Sequence, residues 1–324
     1  MNLNSMNIRK FLMIAAVATF GYAGYAQTLE EAVEARNKGA ELMAGGNIEE
    51  AIAELEKCIN ISQKVGAEAD EHKEVAELAI PGLYLQKANK LVTAKEYEAA
   101  VKALEETIAV AAKYKNEDVK AKAEKPLTDV YYAIGLSAFT KKDMPAAIQN
   151  LDMVNARDAD YAKAYYVKGA IYQQQQNEAK MVENFKLAIE KAEVGGDKST
   201  EKNAKGALSK YFFNKGIVAL QKKTYDAAIT AFNQAIEADD SNADAYFRLA
   251  SSYNAKKNYD KAIENANKAL AIKTTDNDGI YFELGNAYLA KKENTKACEA
   301  FKNVKAEPYA ANAKHQREVV LKCK

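Results

Sequence analysis

Two stretches of the chain lie 34 residues apart and read almost alike. Residues 224–236, TYDAAITAFNQAI, and residues 258–270, NYDKAIENANKAL, agree at Tyr225/Tyr259, Asp226/Asp260, Ala228/Ala262, Ile229/Ile263 and Ala235/Ala269. The same pattern recurs at 47–59, 96–108, 143–155, 177–189 and 293–305, and a second shared segment precedes each, as at 212–220, 246–254 and 281–289. A repeat of this length is one supersecondary unit that cannot bury its apolar face alone, so neighbours must stack into a continuous core. Apolar residues recur at i, i+3, i+4 and i+7 in both halves of each unit, which predicts two amphipathic helices per repeat. Only 4 Pro and 15 Gly in 324 residues leave little room for a turn-rich β architecture.

The chain resembles the tetratricopeptide repeat, a helix–turn–helix unit of about 34 residues. Counting units from 32, 81, 128, 162, 209, 243 and 278, position 8 is small in all seven: Gly39, Ala88, Gly135, Gly169, Gly216, Ala250 and Gly285. Position 20 holds Ala51, Ala100, Ala147, Ala228, Ala262 and Ala297, with Met181 as the exception. Position 24 holds the bulky Leu55, Leu104, Leu151, Phe185, Phe232 and Phe301, with Ala266 as the exception. Position 4, often Trp in the family, carries Tyr84, Tyr131, Tyr165, Phe212, Tyr246 and Tyr281. The resemblance implies an all-α tetratricopeptide-repeat solenoid over residues 27–324: a right-handed superhelix of about seven units, closed by a capping helix at 309–323.

The steps between units are uneven, and units one, two and four carry about 13–15 extra residues. Residues 105–123 contain no breaker and predict a lengthened second helix. The insert 194–206 contains Gly195 and Gly196 and predicts a flexible turn, unless the next helix begins early near Thr200. Pro81, Pro126 and Pro308 fall where a first helix is expected to start, and Pro145 falls in a first turn, where a missing N–H costs nothing. Lys314, Gln316, Arg317 and Lys322 are expected to form the polar face of the cap.

Residues 1–26 contain no acid. Arg9 and Lys10 precede an apolar run from Phe11 to Phe20, and small residues Ala23, Gly24 and Ala26 precede Gln27. This is the layout of a cleavable secretory signal peptide, too short for a permanent span. Its Tyr-Ala-Gln ending resembles export signals of the Bacteroidetes group. The first cysteine is Cys58, so a lipid-attachment cysteine is not present at the junction. The expectation is a periplasmic protein, secreted or outer-membrane associated as variants of that address, without stable membrane insertion. Cleavage leaves 44 basic and 45 acidic residues, a balance that argues against nucleic acid, whose phosphates need a basic excess.

Nothing points to catalysis. His72 and His315 are far apart and are expected in solvent. GxSxG, HExxH, P-loop and CxxC motifs are absent from the sequence, so no catalytic residues, metal or cofactor are expected. The Glu-rich stretches at Glu49-Glu50 and Glu105-Glu106 have Lys nearby and read as ion-paired helix faces. Cys58, at a normally buried position of unit one, reads as an inert packed thiol. Cys298 opens the last second-helix and Cys323 ends the cap. If these elements pack antiparallel, the two sulfurs meet. Cys298 and Cys323 are thus a candidate disulfide pair, with two free thiols as the alternative.

In the tetratricopeptide family, positions 2, 5, 9 and 12 of the first helices line a concave groove for peptides. Position 5 here is Arg36, Leu85, Tyr132, Tyr166, Phe213, Phe247 and Phe282, and polar Gln173, Arg248, Ser251, Asn254 and Asn286 sit beside the aromatics. Rigid aromatics next to hydrogen-bonding groups suit a peptide-binding surface, though such aromatics also pack between repeats. The resemblance implies a non-enzymatic scaffold or adaptor whose partner is an envelope protein or peptide. A glycan or small-ligand binder of the envelope is the alternative. The family's carboxylate clamp for chaperone tails is not expected, because Glu283 stands where it needs Arg and Ala40 where it needs Asn.

Overall fold

The computed structural model describes residues 23–323, and side chains from Thr28 onward. The expected signal peptide, 1–26, lies outside the described residues except for Ala23–Ala26, which open the first helix. Fifteen α-helices follow. They are α1 (Ala23–Ala44), α2 (Ile48–Val65), α3 (Asp70–Thr93), α4 (Tyr97–Lys113), α5 (Glu117–Thr140), α6 (Met144–Arg157), α7 (Ala162–Gln174) and α8 (Glu178–Gly195). Then come α9 (Lys198–Gln221), α10 (Tyr225–Ala238), α11 (Ala243–Ala255), α12 (Tyr259–Ile272), α13 (Asp278–Ala290), α14 (Asn294–Lys302) and α15 (Ala310–His315). The described residues contain no strand. The first fourteen helices form seven hairpins, and α15 with the following π-type turn, Gln316–Val320, makes the cap. The chain divides into two compact bodies, residues up to Ala159 with α1–α6 and residues from Asp160 with α7–α15.

One steric rule builds every hairpin. An added Cβ would stand 2.8 Å from Leu55 at Gly39, 3.0 Å from Leu151 at Gly135, 2.7 Å from Phe185 at Gly169, 2.5 Å from Phe232 at Gly216 and 2.6 Å from Phe301 at Gly285. The missing side chain at position 8 is therefore the socket for the large one at position 24. Where position 8 is Ala88 the knob is Leu104, and where it is Ala250 the knob shrinks to Ala266. The exception at position 24 is thus a matched pair. All seven position-20 residues, Met181 included, are at most 1% exposed and let the second helix lie flat on the first.

The turn within each hairpin places its position-15 residue in the left-handed region: Gly46, Lys95, Lys142, Gln176, Lys223, Lys257 and Lys292. Only the first is glycine, so each of the others carries strain of about 1–2 kcal/mol. Asp143, Asn177 and Asn258 then cap α6, α8 and α12 by accepting from the third N–H onward.

The inserts go elsewhere than expected. Residues 105–123 are not one long helix: α4 stops at Lys113, Lys115 turns left-handed, and Asn116 caps α5 by accepting from Val119 N. The extra length lengthens the next hairpin's first helix, so α3, α5 and α9 are each 24 residues. Pro81 and Pro126 consequently lie inside α3 and α5 rather than at their starts. In the segment 194–206 the turn is confined to Gly196 and Asp197. Gly196 is left-handed, and Asp197 caps α9 by accepting from Thr200 N and Thr200 Oγ1. The early helix start is the correct alternative there.

The cap also differs from the expected polar face. Leu321 N donates to Gln316 O, a wide turn that shifts the register. Leu321 therefore meets Phe301, Val304 and Ala313, Gln316 and Arg317 are half-buried, and Val319 and Val320 face solvent at 59% and 51% exposure.

Candidate binding site

The position-5 aromatics are half-buried, and three of them rest on the position-24 knobs. Ring centroids lie 5.7 Å apart for Tyr166–Phe185, 5.7 Å for Phe213–Phe232 and 5.9 Å for Phe282–Phe301. Phe247 has no such partner, because its own knob is Ala266. It instead carries the Arg248 guanidinium 4.6 Å from its ring centroid and lies over the backbone of α13 at Gly279, where a Cβ would stand 2.8 Å from Phe247.

Around Phe247 the second body forms a recess of about 220 Å³. Phe213, Ile280 and Tyr309 line it with Phe247, and so do the charged Asp244, Arg248, Lys273 and Asp276. The Lys273 ammonium lies 3.1 Å from Asp244. Tyr309 stacks on Phe282 with centroids 5.3 Å apart, so the cap supplies one wall. The apolar lining can shed water from an apolar side chain, and the charged lining offers both signs of charge to a peptide backbone or its neighbours. No nucleophile–base pair faces the recess, and no group of three His, Cys, Asp or Glu among the described residues is placed to hold a metal.

The ten candidate residues do not form one set. Phe213, Phe247 and Arg248 converge on the recess, and Phe282 touches it through Tyr309. Ser251 and Asn254 are occupied: Ser251 Oγ donates to Glu283 Oε1 at 2.8 Å, and Asn254 Nδ2 donates to Glu283 Oε2 at 2.7 Å and to Glu283 O at 2.9 Å. Glu283, which removes the clamp's cation, thus ties α11 to α13. Replacing it with Ala strands two donors and is expected to cost about 1–2 kcal/mol in denaturant unfolding. Gln173 is exposed and Asn286 half-buried in the same body, whereas Tyr132 belongs to the first body. Sequence reasoning missed Tyr309, Gly279, Asp244 and Lys273. Gly279 at position 2 of its unit was the available signal, since only a residue without Cβ admits Phe247 and Tyr309 there.

Histidine and cysteine take structural places. His72 is half-buried against the Arg36 guanidinium rather than solvated, while His315 is exposed. Cys58 is fully buried, 3.9 Å from Ser62 Oγ and 3.7 Å from His72 O, and burial pushes its thiol up. Cys298 and Cys323 are joined by a disulfide, with Cα atoms 5.8 Å apart.

Models of the tetratricopeptide repeat match residues 36–65, 162–191 and 213–278. No curated protein matches the sequence. Among solved structures, the Arabidopsis OM64 TPR domain is 22% identical, over 36% of this chain and 97% of that one, with a TM-score of 0.35. YrrB, described as a TPR protein with an unusual peptide-binding site, is 16% identical over 59% of this chain and 91% of its own, at 0.32. A tetratricopeptide repeat protein from Parabacteroides merdae is 15% identical over 92% of this chain and 100% of its own, at 0.30. The matched repeats occur in both bodies, and the hairpins around them obey one packing rule: the chain carries tetratricopeptide repeats at residues 36–65, 162–191 and 213–278.

Proposed function

We propose that this protein is a non-enzymatic interaction scaffold of the cell envelope, which takes an apolar side chain of a peptide or protein partner into the recess around Phe247. The recess itself carries the reading. Three aromatic rings and Ile280 line it together with Asp244, Arg248, Lys273 and Asp276, so apolar surface and charges of both signs meet in one recess. Repeats of this family serve protein–protein interaction in general. The leader pattern in residues 1–26 supports export to the periplasm, and among the described residues no helix is long and apolar enough to cross a membrane.

Phe247 is the residue to test, because it lines the recess and has no aromatic knob beneath it, its position-24 residue being Ala266. Peptides selected from a displayed library on residues 27–324 are expected to lose about tenfold or more in affinity with Phe247→Ala, as at interface hot spots. Circular dichroism of that variant is expected to keep its helical signal. Phe213→Ala is expected to weaken both binding and stability, since Phe213 also packs on Phe232. Selected peptides indifferent to Phe247→Ala would place binding elsewhere. Failure to select any peptide, with retention on a glycan array, would favour the glycan reading.

A further inference from the structure

The recess has one wall that does not belong to the repeats. Tyr309 is the residue before α15, and Ala313 N donates to Tyr309 O, so the ring moves with the first turn of the cap. The cap is a poor structure by itself. Its helix has 6 residues, well below the length at which an isolated helix holds in water. It buries little beyond Ala313 and part of Leu321, and Arg317 Nε is buried with no hydrogen-bond partner. Beyond the packing of Tyr309 on Phe282 and of Leu321 on Phe301, two ties hold it down. At its start, Asp278 accepts from Lys305 N and from Ala306 N, the second at 2.8 Å. At its end, the disulfide joins Cys323 to Cys298 on α14 across 25 residues. Both cysteines are half-buried rather than fully enclosed, unlike Cys58.

We infer that the Cys298–Cys323 bond is a thiol-responsive latch on the recess: intact, it holds Tyr309 in place as a wall; reduced, it releases the cap and opens the recess to larger side chains. The reaction is thiol–disulfide exchange with a dithiol. One thiolate attacks either sulfur, the resulting mixed disulfide is resolved by the second thiol, and two electrons and two protons pass to Cys298 and Cys323 while the dithiol becomes a disulfide. The inference rests on the recess being the binding site, but its structural content needs no partner to be measured.

The test is hydrogen exchange on residues 27–324 in three forms: oxidised, reduced with dithiothreitol, and Cys323→Ser. Reduction is expected to speed exchange about tenfold or more over 305–321, the closing of a loop of this size being worth more than that. Amides of 279–282, beneath Tyr309, are expected to speed several-fold with it, while 225–238 stays unchanged. Cys323→Ser should reproduce the reduced pattern without dithiol. Release of 305–321 with unchanged protection at 279–282 would overturn the latch, because Tyr309 would then stand without the bond. So would a cap that keeps its protection when reduced. Either failure leaves the peptide selection above unaffected, so the two readings fall separately.

Discussion

Phe232→Ala is expected to destabilise the second body by about 3–5 kcal/mol, the usual cost of emptying a fully buried aromatic site. Phe232 is 0% exposed. It fills the socket over Gly216, carries Phe213, and reaches Leu249 of the following hairpin, so its loss opens a cavity that touches two repeats. The converse change also destabilises. Gly216→Ala brings a Cβ to 2.5 Å from the Phe232 ring, an overpacking worth about 1–3 kcal/mol. The two sites share one space, so their effects cannot add. Gly216→Ala with Phe232→Leu recreates the Ala88/Leu104 pair and should recover most of the loss of either parent. Urea unfolding followed by circular dichroism measures all four corners. Additive effects would show that socket and knob are not coupled.

That socket explains how much of this molecule was legible in advance. Positions 8, 20 and 24 are read easily because size complementarity needs specific residue types at fixed spacing, and the hairpins follow from them. Met181 and Ala266 looked like faults, yet each is tolerated through its neighbours: Ala266 meets Ala250, and Met181 is flexible enough to lie fully buried. Helix ends were harder. Lys115 adopts a left-handed turn with nothing in its chemistry to announce it, and the same holds for the lysines at position 15 of five hairpins. The boundary between α4 and α5 was therefore invisible in an Ala-, Lys- and Glu-rich run. Pro81 and Pro126 misled for a related reason, since the preceding turn of helix was built from the inserts. At the site, the aromatic positions were legible as a series. Their division between packing and recess was not, because it depends on contacts across repeats: Glu283 occupying Ser251 and Asn254, and the cap bringing Tyr309 against Phe282.

In the first body, Arg36→Ala is expected to cost about 2–4 kcal/mol, and Arg36→Met clearly less, because methionine restores the packing but not the hydrogen bonds. Arg36 is only 4% exposed. Its guanidinium lies 3.1 Å from His72 Nδ1 and donates to Asn37 Oδ1 at 3.2 and 2.7 Å, and it has no carboxylate partner among the described residues. Alanine removes the buried stem and leaves His72 Nδ1 unpaired. Methionine refills the volume without a charge to desolvate, but like alanine it leaves His72 Nδ1 without its donor. The guanidinium cannot give up its proton, so His72 Nδ1 must accept and the ring proton sits on Nε2. Burial first, and then the Arg36 charge, hold the His72 pKa below its ordinary value, with Glu71 opposing them. The unfolded chain therefore binds the proton first. Stability from this contact is complete above about pH 6.5 and is lost as pH falls through that value toward the lower folded one. Unfolding of residues 27–324 at pH 7.5 and 5.5 should show a smaller acid loss in Arg36→Met than in the parent, because one cause of the lowered pKa is gone. An equal acid loss in both would assign the effect to burial alone, and an Arg36→Met as damaging as Arg36→Ala would show that the fold needs the guanidinium itself.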